Sequence, residues 1–496
     1  MKLRSVYHAA PSVTGHLAGA ERGPLGAPAS TKIALLWMMS TAALAWLALT
    51  LVVPYGGVTF AVLVPLIVLV PALILWTGAR AGEKAGLPLL AMVFLIVLMS
   101  DVSVRGRALT DTGLDMQSAL KFILWASGWL LIFWRLSEYK EVARTWAGGA
   151  ALAFALWCLF STVYSPTPIY TFGASVGMLG MWFVAAFVTR RVDRGALILT
   201  CALALTVGML ISLGLYFGLR ERAMAPTEGG TIFRLAGIFS APNTLGRAAA
   251  LLLLLLLAGF YYVRRPLVWW PLALVGAGTA VACLLLSGSR ASALALICAG
   301  VVVLLRRRPV LLTVVSALFV SVSAIVLSFP TYMQELMLMV SRTGRLSEVA
   351  TLTGRTYIWE WVMSAAAERP LHGYGFASTR VVMVEGYRGP WGFTTSSAHN
   401  AWLQAWITVG LVGVAMLVIN HLKLVGDFFR RPDRLRDGLF VFVIALGLFE
   451  AAFAGPSVNL ITFTWLLAST LPYMAEGKTS KTHWLTVAPA RQLAKA

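Results

Sequence analysis

Long apolar stretches recur along almost the whole chain and restrict its fold more than any other feature of the sequence. About fourteen of them are close to the 20 residues that a helix needs to cross the hydrocarbon of a membrane. A chain that is 59% hydrophobic and only 12% charged has more apolar surface than a soluble domain can bury. We therefore expect an all-α, polytopic membrane protein with about 12–14 transmembrane helices. The stretches lie at residues 33–53, 58–77, 86–101, 118–136, 145–163, 173–189, 195–218, 244–263, 267–286, 290–305, 309–329, 399–422, 438–454 and 457–475.

The basic residues are concentrated in alternate loops between these stretches. If the N-terminus lies inside, the inner loops and tails carry a net charge of about +17 and the outer loops about +4, in keeping with the positive-inside rule. This placement explains most of the overall net charge of +20, so we expect no nucleic-acid partner. With an even number of helices, both termini are expected in the cytoplasm.

Two loops are much longer than a connection needs, at residues 219–243 and about 330–398, and the charge pattern places both outside. The second contains GRTYIWEWVMSAAAERP, which predicts an amphipathic helix lying on the outer membrane surface. Thr353 is its expected cap and Pro370 its expected end. Its apolar stripe consists of Ile358, Trp361, Val362 and Ala365.

Three predicted helices begin at the outer face with similar polar chemistry. Their starts read RLAGIFSAPNTLGR (234–247), SGSRAS (287–292) and SSAHNAW (396–402). Helix N-termini bind anions through unpaired N–H groups and the helix dipole. Because guanidinium groups grip phosphate oxygens with two hydrogen bonds, the arginines here predict a phosphate or diphosphate cradle. The capping candidates are Asn243, Ser289 and Asn400, and the arginines beside them are Arg234, Arg247 and Arg290.

His399 is the candidate for proton transfer. It falls in the first turn of the predicted twelfth helix, where the dipole opposes a positive charge and favours a neutral imidazole that can accept a proton. Two simpler interpretations stay open: His399 caps the helix, and Arg290 binds lipid headgroups. Glu450, near the outer end of the predicted thirteenth helix, is either functional or the structural partner of an arginine. His372 has no feature that predicts a role.

No sequence pattern predicts a metal or a cofactor. There is no P-loop, no zinc-type His/Cys spacing and no acidic cluster suited to a divalent metal. The cysteines lie inside apolar stretches without disulfide spacing, and we expect them to be small packing residues. They are Cys158, Cys201, Cys283 and Cys298.

Five pieces, in order, resemble the O-antigen ligase and polymerase family of membrane glycosyltransferases. They are RLAGIFSAPNTLG, LLSGSRAS, GRTYIWEW, HGYGF, and SAHNAWLQ followed by GLVG, and they cover residues 230–420. The resemblance implies a glycan on undecaprenyl diphosphate, presented at the periplasmic face, as the donor. It also implies metal-independent, inverting transfer to an acceptor hydroxyl, with localisation in the bacterial inner membrane. The partners implied are the donor, an acceptor glycan or lipid A–core, membrane lipids and, for a polymerase, a chain-length regulator.

The resemblance also assigns roles to individual residues. Arg290 matches the arginine of the SGSR piece, Arg234 the arginine before the PN segment, and Arg355 the arginine of the GR piece in the long loop. These three, with Arg247, are expected to bind the diphosphate. His399 matches the loop histidine that activates the acceptor, and Asn243, Ser289, Asn400 and Glu450 are expected to support the site.

Three functions fit these features to different degrees. The favoured one is polymerisation of an exopolysaccharide or O-antigen, and the second is ligation of O-antigen to lipid A–core. A lipid-linked oligosaccharide flippase is less favoured because the apolar stretches are nearly uncharged apart from Glu450. A purely structural scaffold leaves the three similar helix starts without a reason.

The expected division is a disordered cytoplasmic tail (1–30), N-terminal transmembrane helices (31–230), the ligase/polymerase-like region with its periplasmic loop (231–422, loop 330–398), C-terminal transmembrane helices (423–475) and a cytoplasmic tail (476–496).

Overall fold

The computed structural model describes residues 86–103, 136–227, 232–264, 266–329 and 350–472, with isolated positions between 110 and 129 and between 334 and 346. The predicted tails, the stretches at 33–53 and 58–77, and most of 118–136 and of 330–349 lie outside these residues. Most of the described residues are helical. Two short strands, β1 (Met224–Thr227) and β2 (Ile232–Leu235), form an antiparallel hairpin. The described helices are α1 (Gly86–Met99), α2 (Leu136–Arg144), α3 (Trp146–Phe160), α4 (Pro168–Arg191), α5 (Arg194–Gly218), α6 (Arg220–Ala223), α7 (Pro242–Tyr262), α8 (Pro266–Ser287), α9 (Arg290–Leu305), α10 (Pro309–Ser328), α11 (Arg355–Glu368), α12 (Thr379–Gly386), α13 (Ala401–Arg430), α14 (Arg434–Gly447) and α15 (Leu460–Thr470).

The all-α, polytopic membrane fold is confirmed. Each predicted apolar stretch that falls in the contiguous described segments is helical, although α14 ends at Gly447 rather than near 454. Within these residues, six helices are long and apolar enough to cross a membrane. The amphipathic helix α2 was not predicted among the apolar stretches, because it is short and carries charged residues.

Small residues bring helix α7 close to its neighbours at the centre of the fold. Ala248, Ala249 and Ala250 are fully buried, and a side chain at Gly246 would collide with Ser289 at the start of α9. Without water between them, membrane helices gain most from such close van der Waals packing. The starts of α7 and α9 therefore lie side by side, as the candidate site requires.

Helix α13 is not the straight outside-to-inside helix expected from residue 399 onwards. Gly410 breaks it with a φ of 66° and a ψ of −174°. The ring centroids of Trp402 and His421 are 4.9 Å apart, whereas 19 residues of straight helix would separate them by about 28 Å. Residues 401–409 therefore fold back along residues 411–430. The residues before 401 lie about 12 Å from the turn at Gly410, measured along the axis of the first arm.

Residues 370–375, which include most of the HGYGF piece, pair with the backbone groups that this reversal leaves without helical partners. Tyr374 and Gly375 donate backbone N–H groups to the carbonyls of residues 407 and 408. In return, the N–H groups of Leu411 and residue 412 donate to the carbonyls of Pro370 and residue 371. A break inside a membrane is tolerated only when its backbone groups are paired in this way.

Buried ion pairs join the start of α5, the end of α9 and the start of α14. Arg194, at the start of α5, pairs with Asp433, and Arg306, just after α9, pairs with Asp437 at 2.5 Å. Arg436 also contacts Asp437. All of these charged residues lie just outside the apolar stretches that the sequence analysis identified. These charges lie at helix ends, where their partners and backbone carbonyls satisfy them.

Helix α11 of the long loop forms as predicted, but its apolar stripe packs on protein. Ile358, Val362 and Ala365 are buried in a cluster with residues of α12 and of the arm 401–409. The stripe is therefore not the membrane-facing surface that we expected. Thr353 does not cap the helix either, because Gly354 takes the cap position with a φ of 80°.

Candidate active site

Glu450 is the centre of a polar network that joins four separate segments of the chain. It lies after α14, in the non-helical segment 448–459, and not inside a helix as predicted. Its Oε1 accepts hydrogen bonds from Asn243 and from Arg355, both at 2.9 Å. Its Oε2 lies 3.4 Å from Nδ1 of His399. One buried carboxylate thus holds groups from α7, α11 and the start of α13.

The pKa of Glu450 reflects this setting. Burial alone raises the pKa, but the hydrogen bond and charge of His399, and then the charges of Arg355 and Arg247, outweigh burial and lower the pKa from 4.5 to about 2. The carboxyl group is therefore ionised throughout the physiological range and can only accept hydrogen bonds.

His399 lies just before helix α13 and not in its first turn. Asn400 is the N-cap, and its side chain accepts the N–H groups of residues 402 and 403. The argument from the helix dipole is therefore replaced by a direct contact with Glu450. Since a carboxylate only accepts, Nδ1 of His399 carries the proton towards Glu450, and in the neutral imidazole the lone pair is then on Nε2.

Arg234 extends from β2 and is buried beside the start of α9. Its Nε donates to the carbonyl of Ser287 at 2.6 Å, and its Nη2 donates to Oδ1 of Asn243 at 2.7 Å. Asn243 was expected to cap α7, but it is the second residue of a helix that begins at Pro242. Its amide instead connects Arg234 to Glu450.

Arg290 is the first residue of α9, and its Nη2 donates to Oγ1 of Thr353 at 2.9 Å. Thr353 is two residues before Arg355, so the loop brings both arginines to the same side of the network. Ser289 stands at the cap position of α9, but its hydroxyl bonds Ser292 at 2.8 Å and does not cap the helix.

Arg247 is the predicted site residue that the structure places apart. Its Nη2 lies 3.4 Å from both carboxylate oxygens of Asp101, which is buried. Arg247 remains near enough to lower the pKa of Glu450, but its direct partner is Asp101. The sequence analysis missed Asp101, although an acidic residue closing the apolar stretch 86–101 was a visible signal.

The balance of charge in this site favours an anion. Arg234, Arg247, Arg290 and Arg355 face two carboxylates, Glu450 and Asp101, which leaves an excess of about two positive charges when His399 is neutral. Guanidinium groups at a helix start and an imidazole with a lone pair could bind a diphosphate and accept a proton. Within the described residues, no group of three or more His, Cys, Asp and Glu side chains could hold a metal ion.

Two comparisons with known proteins bear on this site. The O-antigen ligase family model matches residues 275–418, which include Arg290, Arg355 and His399. The chain is also 25% identical over 365 residues to the exopolysaccharide production protein ExoQ of Rhizobium meliloti (strain 1021). That alignment covers 69% of this chain and 80% of the relative. The resemblance inferred from the five sequence pieces is thus confirmed, while Arg234, Asn243 and Glu450 lie outside the matched family region.

Proposed function

Taking this chain as a member of the O-antigen ligase/polymerase family that acts in polysaccharide production, we propose that it transfers a lipid-linked glycan to an acceptor hydroxyl. The donor is a glycan on undecaprenyl diphosphate, and the reaction takes place at the periplasmic face of the bacterial inner membrane. The observation that carries this proposal is the network in which Glu450 holds both His399 and Arg355, with Arg234 and Arg290 beside it.

The arginines serve the leaving group. As the bond between the anomeric carbon and the phosphate oxygen breaks, negative charge accumulates on the lipid diphosphate. Arg290 and Arg355, fixed at helix starts, are placed to stabilise that charge without reorganising. Arg234 and Asn243 connect the arginines to the carboxylate. Arg234 donates to the carbonyl of Ser287, and Asn243 donates to Glu450.

His399 serves the acceptor. Its Nε2 takes the proton of the acceptor hydroxyl while the hydroxyl oxygen attacks the anomeric carbon. A new glycosidic bond forms as the lipid diphosphate leaves, and a single displacement inverts the anomeric configuration. Glu450 fixes the tautomer and stabilises the imidazolium that forms, the same division of roles as in a carboxylate–histidine pair of a hydrolase.

We favour polymerisation over ligation. The relative named above is described as an exopolysaccharide production protein, and an exopolysaccharide is lengthened by using a second carrier-linked repeat as the acceptor. Ligation to lipid A–core is the alternative with the same chemistry, and a chain-length regulator is a further partner of a polymerase. A flippase is disfavoured because the charged residues of the described chain gather at helix ends and in the external loop.

Complementation of a deletion strain tests this function. We expect His399→Ala and Arg290→Ala to leave single repeats on the lipid carrier, as in a polymerase-deficient cell. His372→Ala is the matched control, since this second loop histidine contacts Tyr164 and lies outside the network. Long carrier-linked polymer with bare lipid A–core would instead identify a ligase. Full-length polymer from both site variants would overturn the proposal.

A further inference from the structure

His399 has a backbone conformation that is rare for a residue with a side chain. Its φ is +48°, in the left-handed region that glycine favours. Such a conformation persists only where the surroundings over-determine it, and it is common at functional sites. The peptide planes on either side of His399 must therefore be held by other groups.

Two side chains hold the residue that precedes it. Gln404, which is fully buried, accepts the N–H of Ala398 through Oε1 at 2.8 Å. The indole N–H of Trp359 donates to the carbonyl of Ala398 at 2.9 Å. Both backbone polar groups of Ala398 are thereby fixed, and its carbonyl belongs to the same peptide plane as the N–H of His399.

The amide of Gln404 is itself fixed at its other end. Its Nε2 donates to Oγ1 of Thr379, a fully buried residue at the start of α12, at 2.9 Å. On the far side of His399, the side chain of Asn400 accepts the N–H groups of residues 402 and 403, which ties the next residue to the start of α13. The backbone is thus held on both sides of His399, which sets the direction in which its side chain leaves the chain.

Trp359 links this support to the diphosphate side of the site. It lies four residues after Arg355 on α11, so both side chains leave the same face of one helix. Arg355 reaches Glu450 while Trp359 reaches the peptide before His399. Helix α11 therefore positions both Arg355 and the backbone that carries the imidazole of His399.

We propose that Gln404 and Trp359 are positioning residues for His399, which hold its imidazole on Glu450 by clamping the peptide groups of Ala398. This inference rests on the proposed function, in which His399 is the base. General-base catalysis is worth 10²- to 10⁴-fold in rate. A misdirected imidazole should therefore lower kcat by about 10-fold or more, while the arginines continue to bind the donor.

The test uses the full chain purified into liposomes, with a synthetic undecaprenyl-diphosphate-linked repeat as donor and acceptor. Gln404→Met removes both side-chain hydrogen bonds at similar volume, and Trp359→Phe removes only the indole donor. We expect kcat to fall by about 10-fold or more with the donor KM within about twofold. Gln404→Glu, which keeps an acceptor for Ala398, should retain kcat within about threefold of the unsubstituted protein.

Two matched controls separate positioning from general packing. Trp406 packs against the same apolar cluster as the stripe of α11. Its indole N–H has no hydrogen-bond partner in the described part of the chain, and Trp406→Phe removes that N–H. Thr408→Val removes a buried hydroxyl whose hydrogen bonds, among the residues that the structure describes, stay within its own helix arm. Both should keep the kcat of the unsubstituted protein.

The outcomes distinguish the two proposals. Normal kcat in Gln404→Met and Trp359→Phe, with inactive His399→Ala, overturns the positioning role and leaves the function intact. The positioning role is also overturned if Gln404→Met and Trp359→Phe change kcat and donor KM to the same extent. It is overturned likewise if the two control variants lose as much kcat as these variants do. Activity in His399→Ala overturns the proposed function itself. If Gln404→Met gives too little folded protein, Trp359→Phe decides, since phenylalanine keeps the aromatic packing.

Discussion

Glu450→Gln is the most informative single substitution, because it keeps the size of the side chain and removes its charge. The carbonyl oxygen of a glutamine can still accept from Asn243 and Arg355. Its amide group, however, then points two hydrogens at the protonated Nδ1 of His399. To avoid facing donors, the imidazole must move its proton to Nε2, which leaves no lone pair for the acceptor hydroxyl. We expect kcat to fall by 10²- to 10⁴-fold.

The same substitution has a calculable effect on stability. A pKa lowered from 4.5 to about 2, with the charge of His399 included, corresponds to an upper limit of about 3 kcal/mol in favour of the ionised, folded state. Because the folded pKa is the lower one, this contribution is fully present above the unfolded value. It is lost as pH falls through 4.5 towards 2. The variant should therefore be less stable than the unsubstituted protein at pH 7, and the difference should shrink below about pH 4.

Two assays check these expectations. Thermal unfolding in detergent at pH 7 and at pH 3 measures the stability difference, and glycan transfer in liposomes measures kcat and donor KM. A stability difference that does not depend on pH would contradict the buried, ionised state of Glu450. A kcat within about threefold of the unsubstituted protein would contradict its role in orienting His399.

Three further predictions concern other parts of the chain. Arg290→Ala should raise the donor KM by about 10-fold or more, and Arg290→Lys should restore only part of the loss because lysine lacks the planar fork; titration with donor in liposomes measures both. Asp437→Asn should destabilise the fold by about 3 kcal/mol by leaving Arg306 without its carboxylate, with kcat of the folded fraction unchanged; thermal unfolding and specific activity test this. Gly410→Ala should cost at least about 2 kcal/mol, since a Cβ there would lie 2.2 Å from the backbone of Leu371; a melting temperature equal to that of the unsubstituted protein would show that the reversal is wrong.

The helices could be predicted from the sequence because lipid imposes length and apolarity on each of them. The reversal at Gly410 could not, because residues 401–422 read as one continuous apolar run, and a glycine inside it resembles an ordinary packing residue. What turns the chain there is the backbone of residues 370–375, which pairs with both arms of the break. That partner is about 35 residues away in the sequence and has no apolar pattern that points to the break.

The sequence indicated several residues that the structure places close together, but not the hydrogen bonds that connect them. Arg234, Arg290 and His399 were identified because polar residues at the ends of apolar stretches are uncommon and have few structural uses. Their hydrogen bonds depend on neighbours that the sequence separates widely, such as Asn243 and Glu450. Three of the four predicted helix caps were wrong. Asn243 and Thr353 bond side chains from other parts of the chain, whereas Ser289 bonds Ser292 of its own helix.

The most direct test of the central claim is glycan transfer by the purified chain in liposomes that contain a carrier-linked repeat. Released undecaprenyl diphosphate and the anomeric configuration of the new linkage would be measured together. The proposed function predicts elongated glycan with an inverted linkage, one released carrier per bond formed, and no product from His399→Ala. Product formation by His399→Ala at the rate of the unsubstituted protein, or a retained configuration, would contradict direct displacement with His399 as the base.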